Sequence, residues 1–202
     1  MSAIEKLLSI SSSSINHDCG NEVDDIPREI ALLLRRRNGF FAFEGALEVF
    51  SSLPNQSYSI TEWNDERLWI AAYGDSRPQG LCFAQDIFGG QFIIEDGIKF
   101  FDPETGEHSL FGETLEDWAR VILDDYRVLT GHPLAHDWQK INGPLLCRHR
   151  LVPLAPFVLG GSYSLDNLFA MEAAKSMRLR GDLARQLRDL PDGAQVIYQV
   201  TE

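Results

Sequence analysis

Hydrophobic positions along the chain change period several times, and each change marks an element. Ile4–Ile10 has the spacing of a short amphipathic helix, and the serine run Ser11–Ser14 with the acidic stretch after it reads as a connection. Ile26, Ile30, Leu33 and Leu34 recur at helical steps, which predicts a helix over Ile26–Arg37. Asp24 and Asp25 precede it, and Pro27 presets the backbone of its first turn. Asn38-Gly39 stops it, because both residues tolerate the left-handed conformation found after helices. Phe40–Leu53 is apolar without a clean period. Ser59-Ile60-Thr61-Glu62 has capping-box spacing and predicts a helix to about Tyr73, with a strand over Tyr58–Trp63 as the competing reading.

The clearest strand pattern lies between Gly80 and Phe111. Leu81–Ala84, Gln91–Glu95, Ile98–Phe101 and Ser109–Phe111 are rich in Phe and Ile and are separated by Gly89-Gly90, Asp96-Gly97 and Asp102–Gly106. These connections cannot house crossover helices, so the strands must form an antiparallel meander. Thr114–Leu129 then reads as one helix, capped by Thr114, with Leu115, Trp118, Ile122, Tyr126 and Leu129 inward. Gly131-His132-Pro133 ends it. Leu145–Val152, Pro156–Leu159 and Leu168–Met171 are further strand candidates. Ala173–Leu190 is helical in pattern, Pro191-Asp192-Gly193 is a turn, and Ala194–Val200 is a closing strand. The order predicts one α+β domain over residues 26–202, a mostly antiparallel sheet wrapped by helices. Residues 1–25 read as a lead-in.

Charge narrows the function classes. The formal net charge is −12, and residues 81–130 alone hold 11 acids against 3 bases. This argues against nucleic acid and against an anionic membrane surface as partners. Arg35–Arg37 falls in the last turn of a predicted helix, where positive charge offsets the helix dipole. No apolar run approaches the roughly 20 residues of a spanning helix, and the N-terminus lacks the apolar core of a secretory signal. A cytoplasmic protein is expected. Cys19, Cys82 and Cys147 form no CxxC pair, so reduced structural thiols are expected.

Catalytic patterns are sparse. No P-loop, GxGxxG, HExxH or GxSxG occurs, and Gly160-Gly161-Ser162 lacks the trailing glycine of a nucleophile turn. His132 and His136 are four apart and could share a helix face, but Pro133 between them suggests a broken helix, and no third ligand is legible. Cys147 and His149 would share a strand face as a thiol–imidazole pair. Neither set points to a metal, a cofactor or a catalytic centre, and a hydrolase or metalloenzyme ranks third among the readings.

Pro27 with the helix ending in Asn38-Gly39, then Phe83-Ala84-Gln85-Asp86-Ile87-Phe88-Gly89-Gly90-Gln91-Phe92, Phe101–Gly106 and the Trp118 helix together resemble the SUKH superfamily, which includes the fungal Smi/Knr cell-wall regulators and many bacterial proteins. The resemblance spans about Pro27 to Val200 and rests on Pro27, Asn38, Gly39, Phe83, Asp86, Gly89, Gly90 and Trp118. It implies an α+β fold and a non-enzymatic binding role, with bacterial members acting largely as immunity proteins that neutralise polymorphic toxins of nuclease or deaminase type. It carries no catalytic residues. The turn acids Glu95, Asp96, Asp102, Glu104 and Glu107 are the expected contacts for a basic toxin domain. The alternative is a regulatory scaffold or small-ligand module of the same fold, with an apolar pocket lined by Trp63, Trp69 or Trp118.

Overall fold

A computed structural model describes residues 1–17, 26–188 and 190. Cys19, Asp24, Asp25, the 191–193 turn and the 194–200 strand expected from the sequence lie outside the described residues. The fold is α+β, built on a six-stranded antiparallel meander in strand order 1-2-3-4-5-6. Its strands are β1 (Phe40–Ala42), β2 (Leu47–Val49), β3 (Leu81–Asp86), β4 (Gln91–Glu95), β5 (Gly97–Phe101) and β6 (His108–Gly112). The helices are α1 (Ala3–Ile10), α2 (Arg28–Arg36), α3 (Ile60–Trp63), α4 (Leu115–Asp124), α5 (Tyr126–Leu129), α6 (His132–Asn142) and α7 (Ala173–Arg188). A second, two-stranded sheet pairs β7 (His149–Pro153) with β8 (Leu168–Glu172).

The turn chemistry places the last four strands of the meander where the sequence pattern does. Asp96-Gly97 closes β4 onto β5, with Glu95 opposite Gly97. Phe83 sits at a register shift between β3 and β4, and both Phe83 and Phe92 bury their rings against Trp118. Gly90 is required for packing: a Cβ there would lie 2.3 Å from the Phe100 ring. The mixed-period stretch after Gly39 turns out to be the β1–β2 hairpin. Gly39 itself takes φ +68°, and a Cβ there would lie 2.8 Å from the Ser51 amide nitrogen. Asn38 then exchanges side-chain hydrogen bonds with Ser52, donating to its hydroxyl and accepting from its amide.

Several expected elements are cut short, each for a local reason. The capping box at Ser59 forms, with Glu62 completing it, but α3 stops after one turn. At its end the Asn64 side chain donates to the Ile60 carbonyl of α3 and also bonds both backbone groups of Cys82 on β3. The chain resumes as a 3₁₀ segment over Ile70–Ser76, so no helix runs from Ser59 to Tyr73 and no strand covers Tyr58–Trp63. The Thr114–Leu129 helix is broken at Asp125, whose backbone departs to φ −141°, ψ 48°. Pro156–Leu159 is a 3₁₀ turn rather than a strand, and the strand expected from Leu145 begins only at His149.

Pro133 starts a helix instead of breaking one. It sits in the first turn of α6, where a missing N–H costs no intrahelical bond. The lead-in is likewise part of the packed body. Leu7 and Leu8 of α1 are buried against α4, and the Glu116 carboxylate accepts from the Ala3 and Ile4 amides at the helix start. Arg37 closes the other end, donating to the Leu8 and Ser12 carbonyls and the Ser11 hydroxyl. Arg37 of the arginine run thus holds α1 to α2.

Trp63, Trp69 and Trp118 are fully buried in the main core with Tyr73, Phe50 and Phe101. They fill the interior, and none of the three lines the groove along the β5–β6 edge. Among them runs a buried polar chain. Arg150 of β7 pairs with Glu48 of β2, both nearly inaccessible. Gln85 donates to the same Glu48 oxygen at 2.8 Å, Gln91 donates to the Gly89 carbonyl at 2.7 Å, and Trp63 donates its indole N–H to Gln91 at 2.7 Å. This chain ties the two sheets together.

Removing one partner of such a pair strands the other charge in a dry interior. Glu48→Ala or Arg150→Ala is expected to cost about 3–5 kcal/mol. The double variant Glu48→Leu/Arg150→Met is expected to lose less than either single change. Urea denaturation of the four proteins measures the difference.

Candidate functional site

A groove of about 810 Å³ runs along the β5–β6 edge of the sheet. Its floor comes from Asp86 and Gly90 at the β3–β4 turn, from Phe100 and Asp102 at the end of β5, and from Ser109 and Phe111 on β6. One wall is the α5–α6 junction, and the other is the loop carrying Phe157, Val158 and Tyr163. The Phe157 and Tyr163 rings stack at 3.9 Å, and Phe88 meets Phe157 edge-on at 5.3 Å. Tyr163, Val158 and Val128 remain well exposed at the mouth.

Three carboxylates gather in this groove, against Arg180 and Arg127. Asp86 accepts from the Phe88 and Gly90 amides through Oδ1, at 2.8 Å each. Burial nevertheless pushes its acid up to about 7, because loss of water outweighs those hydrogen bonds and the nearby Arg180 charge. Asp102 shapes the following turn, accepting from the Glu104 and Thr105 amides. Glu104 is only 5% exposed and accepts from the Val158 amide through Oε2, while Oε1 is buried without a hydrogen-bond partner. Its acid is raised, by burial first. Arg180 is buried too and donates to the Phe88 carbonyl and to Ser176. It does not form an ion pair within 4 Å of these acids among the described residues.

The five turn acids therefore divide. Glu95, Asp96 and Glu107 are exposed, with Glu95 paired to Lys99. Asp102 is half-buried and caps its own turn. Glu104 cannot be an outer contact residue, since its carboxylate points into the fold and bonds backbone there. The exposed acids sit at opposite ends of the β5–β6 pair: Asp96 leads into β5 beside Gly112, and Glu107 leads into β6 beside Asp102. The structure brings Asp86, Asp102 and Glu104 together, a grouping not legible from the sequence. Arg180 was missed as well; its place in α7 gave only a helical pattern.

A second cluster lies at the α6 start. His132 and His136 occupy one face of α6, and Glu44 of the β1–β2 connection reaches both. Glu44 Oε2 is 2.6 Å from His136 Nδ1, and Oε1 is 3.8 Å from His132 Nε2. The hydrogen bond to His136 holds the Glu44 carboxyl below its usual range. These three residues have the donor types that ligate a metal, and the donor atoms lie within 4.8 Å of one another. Phe43 and Glu44 take φ +52° and +57°, and Gly45 follows at +85°. Left-handed backbone costs a residue with a Cβ roughly 1–2 kcal/mol. Phe43 has a counterpart in its ring stack with Tyr126 at 4.5 Å.

The Cys147/His149 pair does not form. His149 Nδ1 lies 3.0 Å from the Cys147 carbonyl oxygen, while the thiol faces Gln56. Cys82 is buried, and burial raises its thiol so that it stays protonated. Ser162 contacts Ser164 only through hydroxyls, at 2.7 Å, with no histidine bonded to it.

No family model and no curated protein matches the chain. Among solved structures the fold is similar to the crystal structure of Atu4351 from Agrobacterium tumefaciens, with a TM-score of 0.59 and 12% identity over 88% of each chain. That likeness concerns the α+β fold alone.

Asp86 links the groove to stability. Its folded-state acid lies above the ordinary carboxylate value, so the stability it contributes is complete below pH ~4 and is lost as pH rises through about 7. That contribution is at most about 4 kcal/mol. Asp86→Asn keeps an oxygen for the Phe88 and Gly90 amides and cannot ionise. It is expected to flatten the pH 5–8 part of the stability profile and to be more stable than the parent at pH 8. Chemical denaturation at several pH values measures both.

Proposed function

We propose that this chain is a cytoplasmic, non-enzymatic binding protein of the SUKH immunity kind, which neutralises a basic toxin domain by docking on the β5–β6 edge. The observation that carries the reading is the groove itself. Three carboxylates gather beneath an exposed aromatic and aliphatic rim, beside β6, the edge strand of the described sheet. A lysine or arginine side chain of a partner would enter against Asp86, Asp102 and Glu104 and pass the Phe157–Tyr163 stack, an arrangement that suits a cation over an aromatic face. Edge strand β6, whose outer side pairs with no strand among the described residues, offers its backbone groups and the exposed Leu110 to the same partner.

The outer acids favour a macromolecule over a small ligand. Asp96 and Glu107 flank a five-residue strand pair, a separation of roughly 15–17 Å at the rise of a β-strand. A single small molecule in the groove does not reach both ends. A nuclease surface, basic to hold phosphate, does. Acid at the rim would also speed the encounter. No helix among the described residues is long and apolar enough to cross a membrane, which is compatible with the proposed compartment.

The test takes the reading frame beside this chain's gene and pairs the chain with the variable C-terminal domain that the immunity reading expects it to encode. Co-expression is expected to restore growth, and the purified pair is expected to bind more weakly as salt rises. Replacing Glu95→Gln, Asp96→Asn, Asp102→Asn and Glu107→Gln together is expected to lower affinity at least about tenfold and to flatten the salt dependence. Unchanged affinity and salt slope in that variant would sink the docking face. Failure to restore growth would sink the immunity role.

A further inference from the structure

We propose that Glu44, His132 and His136 form a binding site for a first-row divalent cation of the zinc class. The donor set is two imidazole nitrogens and one carboxylate, which is a recurrent zinc ligand set with a fourth position left for water or another group. The two histidines are one helical turn apart on α6, so their rings lie side by side, with centroids 5.8 Å apart and planes 29° from parallel. The carboxylate comes from a different part of the chain and bridges them, one oxygen toward each ring.

Distances fit an ion after small adjustments. Donor atoms around a tetrahedral zinc ion stand roughly 3.4 Å apart at ordinary bond lengths. The Glu44 oxygens stand 2.6 Å and 3.8 Å from the imidazole nitrogens, on either side of that value. The walls are already in place. Tyr126 packs edge-on to His132 at 5.3 Å, Phe43 stacks on Tyr126, and Gln139 of α6 donates to the Glu44 carbonyl at 3.0 Å. His132 is the most enclosed of the three side chains, while Glu44 is half exposed. The fourth position therefore faces solvent.

The backbone at Glu44 supports the same conclusion. The residue holds a left-handed conformation that glycine or asparagine adopts more readily. A glutamate there gains nothing locally from the turn. Its side chain gains the two histidines, and residues held in such conformations concentrate at functional sites. A bound ion would fasten the β1–β2 connection to α6, the helix whose first turn also borders the groove through Pro133 and Leu134.

The test uses the full chain, stripped with a chelator and then titrated with Zn²⁺ or Co²⁺. One equivalent is expected to bind, Co²⁺ is expected to show the visible absorption of a four-coordinate site, and saturation about 100-fold above Kd is expected to raise Tm by about 5–10 °C. Glu44→Asn suits the left-handed backbone and removes the carboxylate. It is expected to keep the Tm of the metal-free protein within a few degrees and to weaken Zn²⁺ binding by more than the roughly 10- to 100-fold that loss of a supporting residue costs. His136→Gln is expected to weaken Zn²⁺ binding in the same way. No stoichiometric binding by the parent chain would overturn the proposal. Undiminished binding in both variants would also overturn it, by placing the ion on other histidines.

Discussion

The Glu48–Arg150 pair is the constraint on which the two halves of this fold depend. Glu48 lies on a central strand of the meander and Arg150 on the first strand of the C-terminal hairpin. A buried carboxylate and guanidinium cannot be left apart, since each would face the cost of an unpaired charge. Their union fixes β7 against the sheet, and the Leu151 amide then bonds the Ile87 carbonyl beside the β3–β4 turn. That contact brings the hairpin and its Phe157–Tyr163 loop over Asp86. The aromatic wall of the groove thus owes its position to a salt bridge on another strand.

The legible part of the fold was the part governed by neighbours in sequence. Asp96-Gly97, Asp102–Gly106 and Thr114 act within a few residues, and they announced the β3–β6 meander and the start of α4. α2 ends ahead of Asn38-Gly39, at Arg37, whose backbone is extended at φ −153°, ψ 110°. Misreadings arose where a distant partner decided the outcome. Asn64, at the end of α3, ties that helix end to Cys82, 18 residues away, by bonding the Ile60 carbonyl and the Cys82 backbone together. The lead-in joined the core because Glu116 and Arg37 supply both ends of α1 with hydrogen bonds. Pro133 was misjudged by position: one residue into a helix it is tolerated, several residues in it is not.

The sites divide along the same line. His132 and His136 announced their spacing, and Glu44 could not announce itself, being 88 residues from His132 and in a stretch with no clear period. A signal did exist in retrospect: Phe43-Glu44 occupies a tight hairpin connection where asparagine and glycine are the ordinary residues. Glu104 failed in the opposite direction. Its neighbours Asp102 and Gly106 mark a turn, and turns are normally wet. Here the turn lies beneath Val158, so its glutamate is dry.

Keeping Asp86, Asp102 and Glu104 together without a guest demands some relief from mutual repulsion. Part comes from Arg180, whose guanidinium is buried nearby and favours their ionised forms. The rest comes from protonation, since burial holds Asp86 close to half-ionised near neutral pH. A cation arriving in the groove would favour the charged form, so binding and loss of a proton are coupled in one direction. A lysine or arginine of the proposed partner would meet there the Asp86 and Glu104 carboxyls, whose acids burial raises. An apolar guest gains the aromatic rim but leaves the buried Glu104 oxygen without a partner. Under the proposed docking, the groove would select by charge at its floor and by shape at its mouth, the two acting on different parts of the same incoming side chain.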